Sequence, residues 1–137
     1  MANHWILKTE PGTYSFADLV KERRARWDGV ANPVALKHIR NMRAGDTALI
    51  YHTGSAREAV GTATITGNPY PDPNADNPKL VVVDLEPGKP LPKPVPLATI
   101  KADTLFASHP LVRIGRLSVA PLSTAEWERL LQLGGLR

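Results

Sequence analysis

The distribution of proline constrains this chain more than any other feature. Nine of its thirteen prolines fall between Pro69 and Pro96. Proline has no backbone N–H to give to a sheet, so Pro90, Pro92, Pro94 and Pro96 fit only an edge strand or an extended connector. Asn68-Pro69-Tyr70-Pro71-Asp72-Pro73 reads as a loop. Between the two groups, Leu80-Val81-Val82-Val83 carries the strongest strand signal in the sequence, within a predicted strand from Lys79 to Glu86. Strand-like segments stand on both sides of this region, so it reads as an irregular edge and not as a domain boundary. A chain of 137 residues, 42% of them hydrophobic and 22% charged, suffices for one hydrophobic core, and the expectation is a single domain over 1–137.

Local signals place the other elements. His4 to Thr9 reads as a strand stopped by Glu10-Pro11-Gly12. Ser15, with an acid three residues on at Asp18, caps a short helix whose apolar face is Phe16, Leu19 and Val20. After the turn at Asp28-Gly29, Asn32 caps a second helix, with Pro33 at its first position and Val34, Leu36, Ile39 and Met42 as its stripe, ending near Gly45. Asp46 to His52 and Ala59 to Thr66 read as paired strands around Thr53-Gly54-Ser55. Pro96 to Ala102 gives a turn of helix, and Gly115 to Val119 a last strand stopped by Pro121. Ser123 with Glu126 makes a capping box for a terminal helix that buries Trp127, Leu130 and Leu131. This order predicts an α+β fold, a small and mostly antiparallel barrel flanked by short helices, not a doubly wound sheet.

Composition removes whole classes of chemistry. With no cysteine there is no disulfide, thiolate nucleophile, iron–sulfur cluster or cysteine zinc site. His4, His38, His52 and His109 share no metal-ligand spacing, and no phosphate-binding loop, dinucleotide fingerprint or nucleophile elbow occurs, so neither metal nor cofactor is expected. No run approaches the roughly 18 apolar residues of a membrane helix. The expectation is an intracellular, cytoplasmic protein away from membranes, associated with the nucleoid or the nucleus according to the cell, with a monomer as the default. The net charge of +4 is modest but concentrated: Lys21, Arg23, Arg24 and Arg26 precede Trp27, and Lys37, His38, Arg40 and Arg43 follow it.

Trp27 is the centre of the candidate site. An indole between arginines and the Asp28-Gly29 turn, with Asn32 close behind, suits a planar hydrogen-bonding ring such as a nucleobase, with one indole face open in a loop. Trp5, inside an apolar strand, and Trp127, at helical spacing, read as core. Lys8, Thr9 and Glu10 end a strand together, where a lysine reaches a phosphate and the other two meet a base edge. Tyr51-His52 closes another strand in the same way, and Tyr70 adds a ring from the proline loop. Two further readings stay open on the residues alone: a small hydrolase pairing Asp28 with His52 or Glu10 as acid and base, and a small-molecule binder using the same cleft.

Trp5-Ile6-Leu7-Lys8-Thr9-Glu10-Pro11, Tyr14-Ser15-Phe16-Ala17-Asp18-Leu19, Trp27-Asp28-Gly29-Val30-Ala31-Asn32, Gly45-Asp46, Tyr51-His52-Thr53, Val60-Gly61, Tyr70-Pro71-Asp72 and Arg116-Leu117-Ser118-Val119 together resemble the EVE domain family over nearly the whole chain. The resemblance implies a PUA-like pseudobarrel, related to YTH and ASCH domains, that binds DNA or RNA and reads a modified base, such as methylated or hydroxymethylated cytosine, flipped into an aromatic-walled pocket. It implies binding without turnover. Carried onto this sequence, Trp27 is the stacking wall, Asp28, Gly29, Val30 and Asn32 the pocket edge, Lys8, Thr9 and Glu10 the polar rim, and Tyr51, His52, Tyr70 and Arg116 its completion. The chain has Ala31 and Leu36-Lys37 where the family pattern often has arginine and Arg-Asn, which moves the expected phosphate contacts to Lys37, His38 and Arg40.

Overall fold

The structure, a computed structural model, describes residues 3–137. Its elements run β1 (His4–Thr9), α1 (Phe16–Glu22), β2 (Ala25–Trp27), α2 (Pro33–Asn41), β3 (Thr47–His52), β4 (Glu58–Ile65), β5 (Tyr70–Pro71), β6 (Val81–Pro96), α3 (Leu97–Ala102), a 3₁₀ turn (Thr104–Phe106), α4 (Pro110–Arg113), β7 (Val119–Leu122) and α5 (Thr124–Leu133). The strands form one sheet in the order β2-β6-β4-β3-β1-β7, with β5 added to β6. Pairing is antiparallel except between β1 and β3, which run parallel. The result is the predicted α+β class: a curled, mostly antiparallel half-barrel with short helices. Its end strands β2 and β7 do not pair, so a seam stays open.

The caps behave as the sequence predicts. Ser15 and Ser123 each complete a capping box, with Asp18 and Glu126 respectively, and the Asn32 side chain accepts from the backbone N–H of Val34 and Ala35. Ile6, Leu7, Leu49, Ile50, Ile65, Val83 and Leu85 of the sheet join Leu19, Ile39 and Leu130 of the helices in one core. Beneath it, Asp46 is 2% exposed. Its carboxylate accepts from Trp5 Nε1 at 2.9 Å, from Asn3 N at 2.9 Å and from Arg43 N at 3.0 Å, so the buried charge is matched by three donors. Trp5 is therefore core. His4 stacks on Trp127 with ring centroids 4.7 Å apart.

Several boundaries differ from the sequence expectation. Val20 and Val34 are exposed, because the helices turn Phe16 and Leu19, and Ala35, Leu36 and Ile39, to the core instead. α2 ends at Asn41. The expected loop over 68–73 contains β5, whose Tyr70 and Pro71 pair with Val82 and Val81. The last strand is β7, shifted onto Val119–Leu122 and running through Pro121. Among the described residues β7 pairs with β1 alone, so one of its edges needs no donors.

The prolines are placed by the same logic. β6 extends far beyond Glu86, to Pro96. Its first half lies between β2 and β4, whereas its proline half pairs only with β4. Alternate residues of a strand direct their N–H groups to the same edge. The odd-numbered amides are the ones in use: Lys89 N donates to Thr62 Oγ1, Lys93 N to Gly134 O and Leu97 N to Arg57 O. Pro90, Pro92, Pro94 and Pro96 thus alternate with these donors and take the positions whose amides are not called on.

Candidate nucleic-acid interface

A cavity of about 540 Å³ opens at the seam. Its lining comes from both ends of the sheet: Ala25, Arg26 and Trp27 of β2, and Lys8 and Thr9 of β1 with Ser118, next to β7. Thr13, Tyr14 and Glu22 cover one side, and Glu10, Asp28, Gly29 and Val30 complete it. Lys8 N donates to Ser118 O at 2.9 Å, which ties the two strand ends together under the cavity.

Local bonds fix this lining. The chain turns after β1 with the amides of Thr13 and Tyr14 on Glu10 O, and Thr9 Oγ1 donates to Tyr14 O at 2.7 Å. Tyr14 thereby stands over Trp27, ring centroids 6.2 Å apart and planes at 82°. Its hydroxyl donates to Glu22 Oε2 at 2.7 Å, and burial first, then this bond, push the phenol pKa far up. The Glu10 carboxylate accepts from Gly12 N at 2.8 Å and lies against Gly54, where a Cβ would stand 2.5 Å from Oε2. Gly54 has a φ of +76°, so the turn requires glycine. Lys8 Nζ lies 5.8 Å from the Tyr51 ring centroid and donates to Gly115 O at 3.2 Å, and burial lowers its pKa.

Of the residues singled out in the sequence, Lys8, Thr9, Glu10, Trp27, Asp28, Gly29 and Val30 meet at this cavity. The indole is not open in a loop. Trp27 ends β2, whose alternation sends Ala25 and Trp27 inward and Arg26 outward, and it is only 7% exposed. It forms an inner wall.

The other predicted residues lie outside the lining. Asn32 caps α2, Tyr51 is buried beneath Lys8, and His52 Nε2 accepts from Phe16 N at 3.0 Å, with its pKa lowered by burial. His52 is therefore engaged with α1, and only Asp28 and Glu10 of the acid–base candidates reach the cavity. Tyr70 bonds to Arg26 and Asp84, and Arg116 is exposed beside Gly115. Lys37, His38 and Arg40 are on α2: Lys37 is exposed, His38 packs 6.1 Å from Trp5, and Arg40 donates to Lys79 O. Sequence reasoning missed Thr13, Tyr14, Glu22, Ala25, Arg26 and Ser118 as lining. Of these, Ala25 and Arg26 belong to a strand of three residues, too short to signal itself in the sequence.

Among the described residues no cluster of three or more His, Asp or Glu is placed to hold a metal, and no helix is long and apolar enough to cross a membrane.

An unclosed, mostly antiparallel barrel with its cavity in the seam is a PUA-like architecture. The EVE domain matches residues 3–133, and the chain belongs to that family. It is 27% identical over 169 aligned positions to human thymocyte nuclear protein 1, covering 97% of this chain and 74% of the human one. The solved structure of that human protein in complex with 5-methylcytosine-containing DNA superimposes with a TM-score of 0.86 at 28% identity, over 97% of this chain and 98% of the other. A Rhodopseudomonas palustris protein solved by NMR gives a TM-score of 0.93 at 39% identity, over 98% and 94%. An ASCH protein from Zymomonas mobilis shares the fold at 11% identity, with a TM-score of 0.59 over 96% and 95%.

Proposed function

We propose that this chain binds nucleic acid and reads a modified base, methylated or hydroxymethylated cytosine, flipped into the seam cavity. One observation carries the reading: a cavity of about 540 Å³ with two aromatic walls and a polar rim of both charges. That volume lies within the range of small-ligand sites, roughly 300–1,000 Å³. The human relative's complex with 5-methylcytosine-containing DNA supports it. Trp27 is the inner wall and Tyr14 the second, while Glu10 and Asp28 accept from the exocyclic amine of a cytosine. Asn32, Tyr51 and His52 act from behind, holding the segments that carry the lining, and exposed Arg116 lies outside it.

The test is anisotropy titration of labelled oligonucleotides, DNA and RNA, with one central cytosine, 5-methylcytosine or 5-hydroxymethylcytosine. A modified strand binds most tightly, and Asp28→Asn or Glu10→Gln weakens it about 5- to 100-fold, the worth of one good base-edge contact. Equal affinity of the parent for every strand, or none for any, overturns the proposal.

A further inference from the structure

The seam cavity is acidic as well as aromatic. Glu10, Glu22 and Asp28 line it against Lys8 and Arg26. A phosphate drawn inside faces three carboxylates, so a neutral ring belongs inside and its phosphate stops at the rim. Lys8 is a poor holder for that phosphate, since it is half-buried, bonded to Gly115 O and seated over Tyr51. Arg26 is exposed at the rim.

Three adjacent strands set this arginine. Arg26 of β2 is the cross-strand partner of Asp84 of β6, and Tyr70 comes from β5 on the next position. Arg26 Nε donates to Tyr70 Oη at 3.2 Å, and Tyr70 Oη donates to Asp84 Oδ1 at 2.7 Å. The direction of this chain is forced, because a guanidinium only donates and a carboxylate only accepts. The hydroxyl proton must point at Asp84, which leaves an oxygen lone pair for Nε. With Nε held, the four N–H donors on the two Nη atoms are free. Among the described residues no carboxylate pairs with them. A planar fork with one edge anchored and the other edge unused matches the oxygens of a phosphate.

Resting on the proposed function, we infer that Arg26 is the phosphate-binding residue of this cavity, and that Tyr70 and Asp84 are positioning residues that aim its guanidinium. Tyr70 then serves the site without stacking on the ligand, and the phosphate contact lies on β2 and not on α2.

Two measurements separate this inference from the reading beneath it. The first titrates inorganic phosphate into the parent and follows the arginine Nε–H signals by NMR. Arg26 shifts and saturates, whereas exposed Arg113 moves only with bulk salt. In Tyr70→Phe the Arg26 response weakens about threefold and stays above the Arg113 level. An Arg26 signal that tracks Arg113 in the parent overturns the inference. The second measures affinity for the preferred oligonucleotide against salt. Arg26→Gln lowers affinity about tenfold and reduces the slope of log K against log salt by about one. Arg26→Lys keeps the slope without restoring affinity, because an ammonium has no second edge to anchor. Tyr70→Phe weakens binding about threefold at unchanged slope, since the charge stays and only its aim is lost. A parental slope in Arg26→Gln overturns the inference and leaves the reader function standing. A saturating phosphate shift at Arg26 in a protein that binds no oligonucleotide sinks the reader function and leaves the anion site standing.

Discussion

Gly61→Ala tests whether the cavity is held open by the packing of α1 on β4. Gly61 lies in β4, and the Phe16 ring of α1 rests directly on it: an added Cβ would stand 2.5 Å from Cε1 and 2.6 Å from Cε2. Ordinary contact begins near 3.4 Å, so the ring must retreat by roughly 1 Å, an overpacking that costs about 1–3 kcal/mol. Alanine also restricts the unfolded chain, which returns about 0.4–1 kcal/mol. The net loss is about 1–2 kcal/mol. For a chain this size that lowers the urea midpoint by about 1 M with the slope unchanged. The ring does not move alone. Phe16 N is the donor to His52 Nε2, and Tyr14 is two residues upstream, so lifting Phe16 shifts the Tyr14 wall that meets Trp27 edge-to-face and weakens modified-strand binding as well. Chemical denaturation and anisotropy on the same sample read both effects. A double-mutant cycle with Phe16→Leu isolates the contact, because a smaller side chain leaves room for the new methyl and the two changes are then less than additive. A Gly61→Ala midpoint within about 0.2 M of the parent, or strict additivity in the cycle, refutes the packing argument.

Asp46→Ala leaves the buried Trp5 Nε1 and the amides of Asn3 and Arg43 without their acceptor. Only the two part-buried amides regain water readily, so the expected loss is about 2–5 kcal/mol by urea unfolding, with little change for Asp46→Asn beyond part of that figure. The histidines set the acid limit. Burial lowers the folded-state pKa of His4, His38 and His52 below 6.5, so the unfolded chain takes up protons first as pH falls. Stability is therefore full above 6.5, declines as pH drops through that value, and stops declining from this cause once the folded histidines protonate. Melting temperature recorded from pH 8 to pH 5 shows this fall, and His52→Gln, whose amide oxygen can accept from Phe16 N, flattens part of it.

What the sequence makes legible is what adjacent residues settle among themselves. A hydroxyl with an acid three positions on, followed by apolar residues at helical spacing, is a capping box, so α1 and α5 start where Ser15 and Ser123 say they do, whereas Ser55 with Glu58, ahead of an alternating run, opens a strand. Asn32-Pro33 starts α2 for the same reason, and β1 ends before Pro11. The misplaced elements all depend on a distant partner. β2 is three residues long and exists because Leu85, Asp84 and Val83 are there to pair with it. β5 exists because Val82 and Val81 are. The exposure of Trp27 is a property of that pairing, and no reading of its flanking arginines supplies it. Tyr14 and Glu22 face one cavity because a helix seven residues long intervenes. Arg26 reads locally as one more surface charge until β5 and β6 bring Tyr70 and Asp84 beside it.

The prolines and the cavity follow from one property of the sheet. A closed barrel uses every strand edge, and its interior is filled by its own side chains. Here β2 and β7 stop short of each other, and the proline half of β6 lacks an amide at every second residue, so further strand pairing there is blocked. The unpaired ends have to be covered by something other than strand. Along β6 the cover is the end of α5, where Gly134 O takes the amide of Lys93. At the seam the cover is the turn after β1 and the end of α1, which contribute Glu10, Tyr14 and Glu22 and do not fill the space. Turns reach across a gap with side chains of mixed polarity, whereas a strand closes it with backbone. The gap that is bridged without being closed is therefore where the seam keeps its cavity.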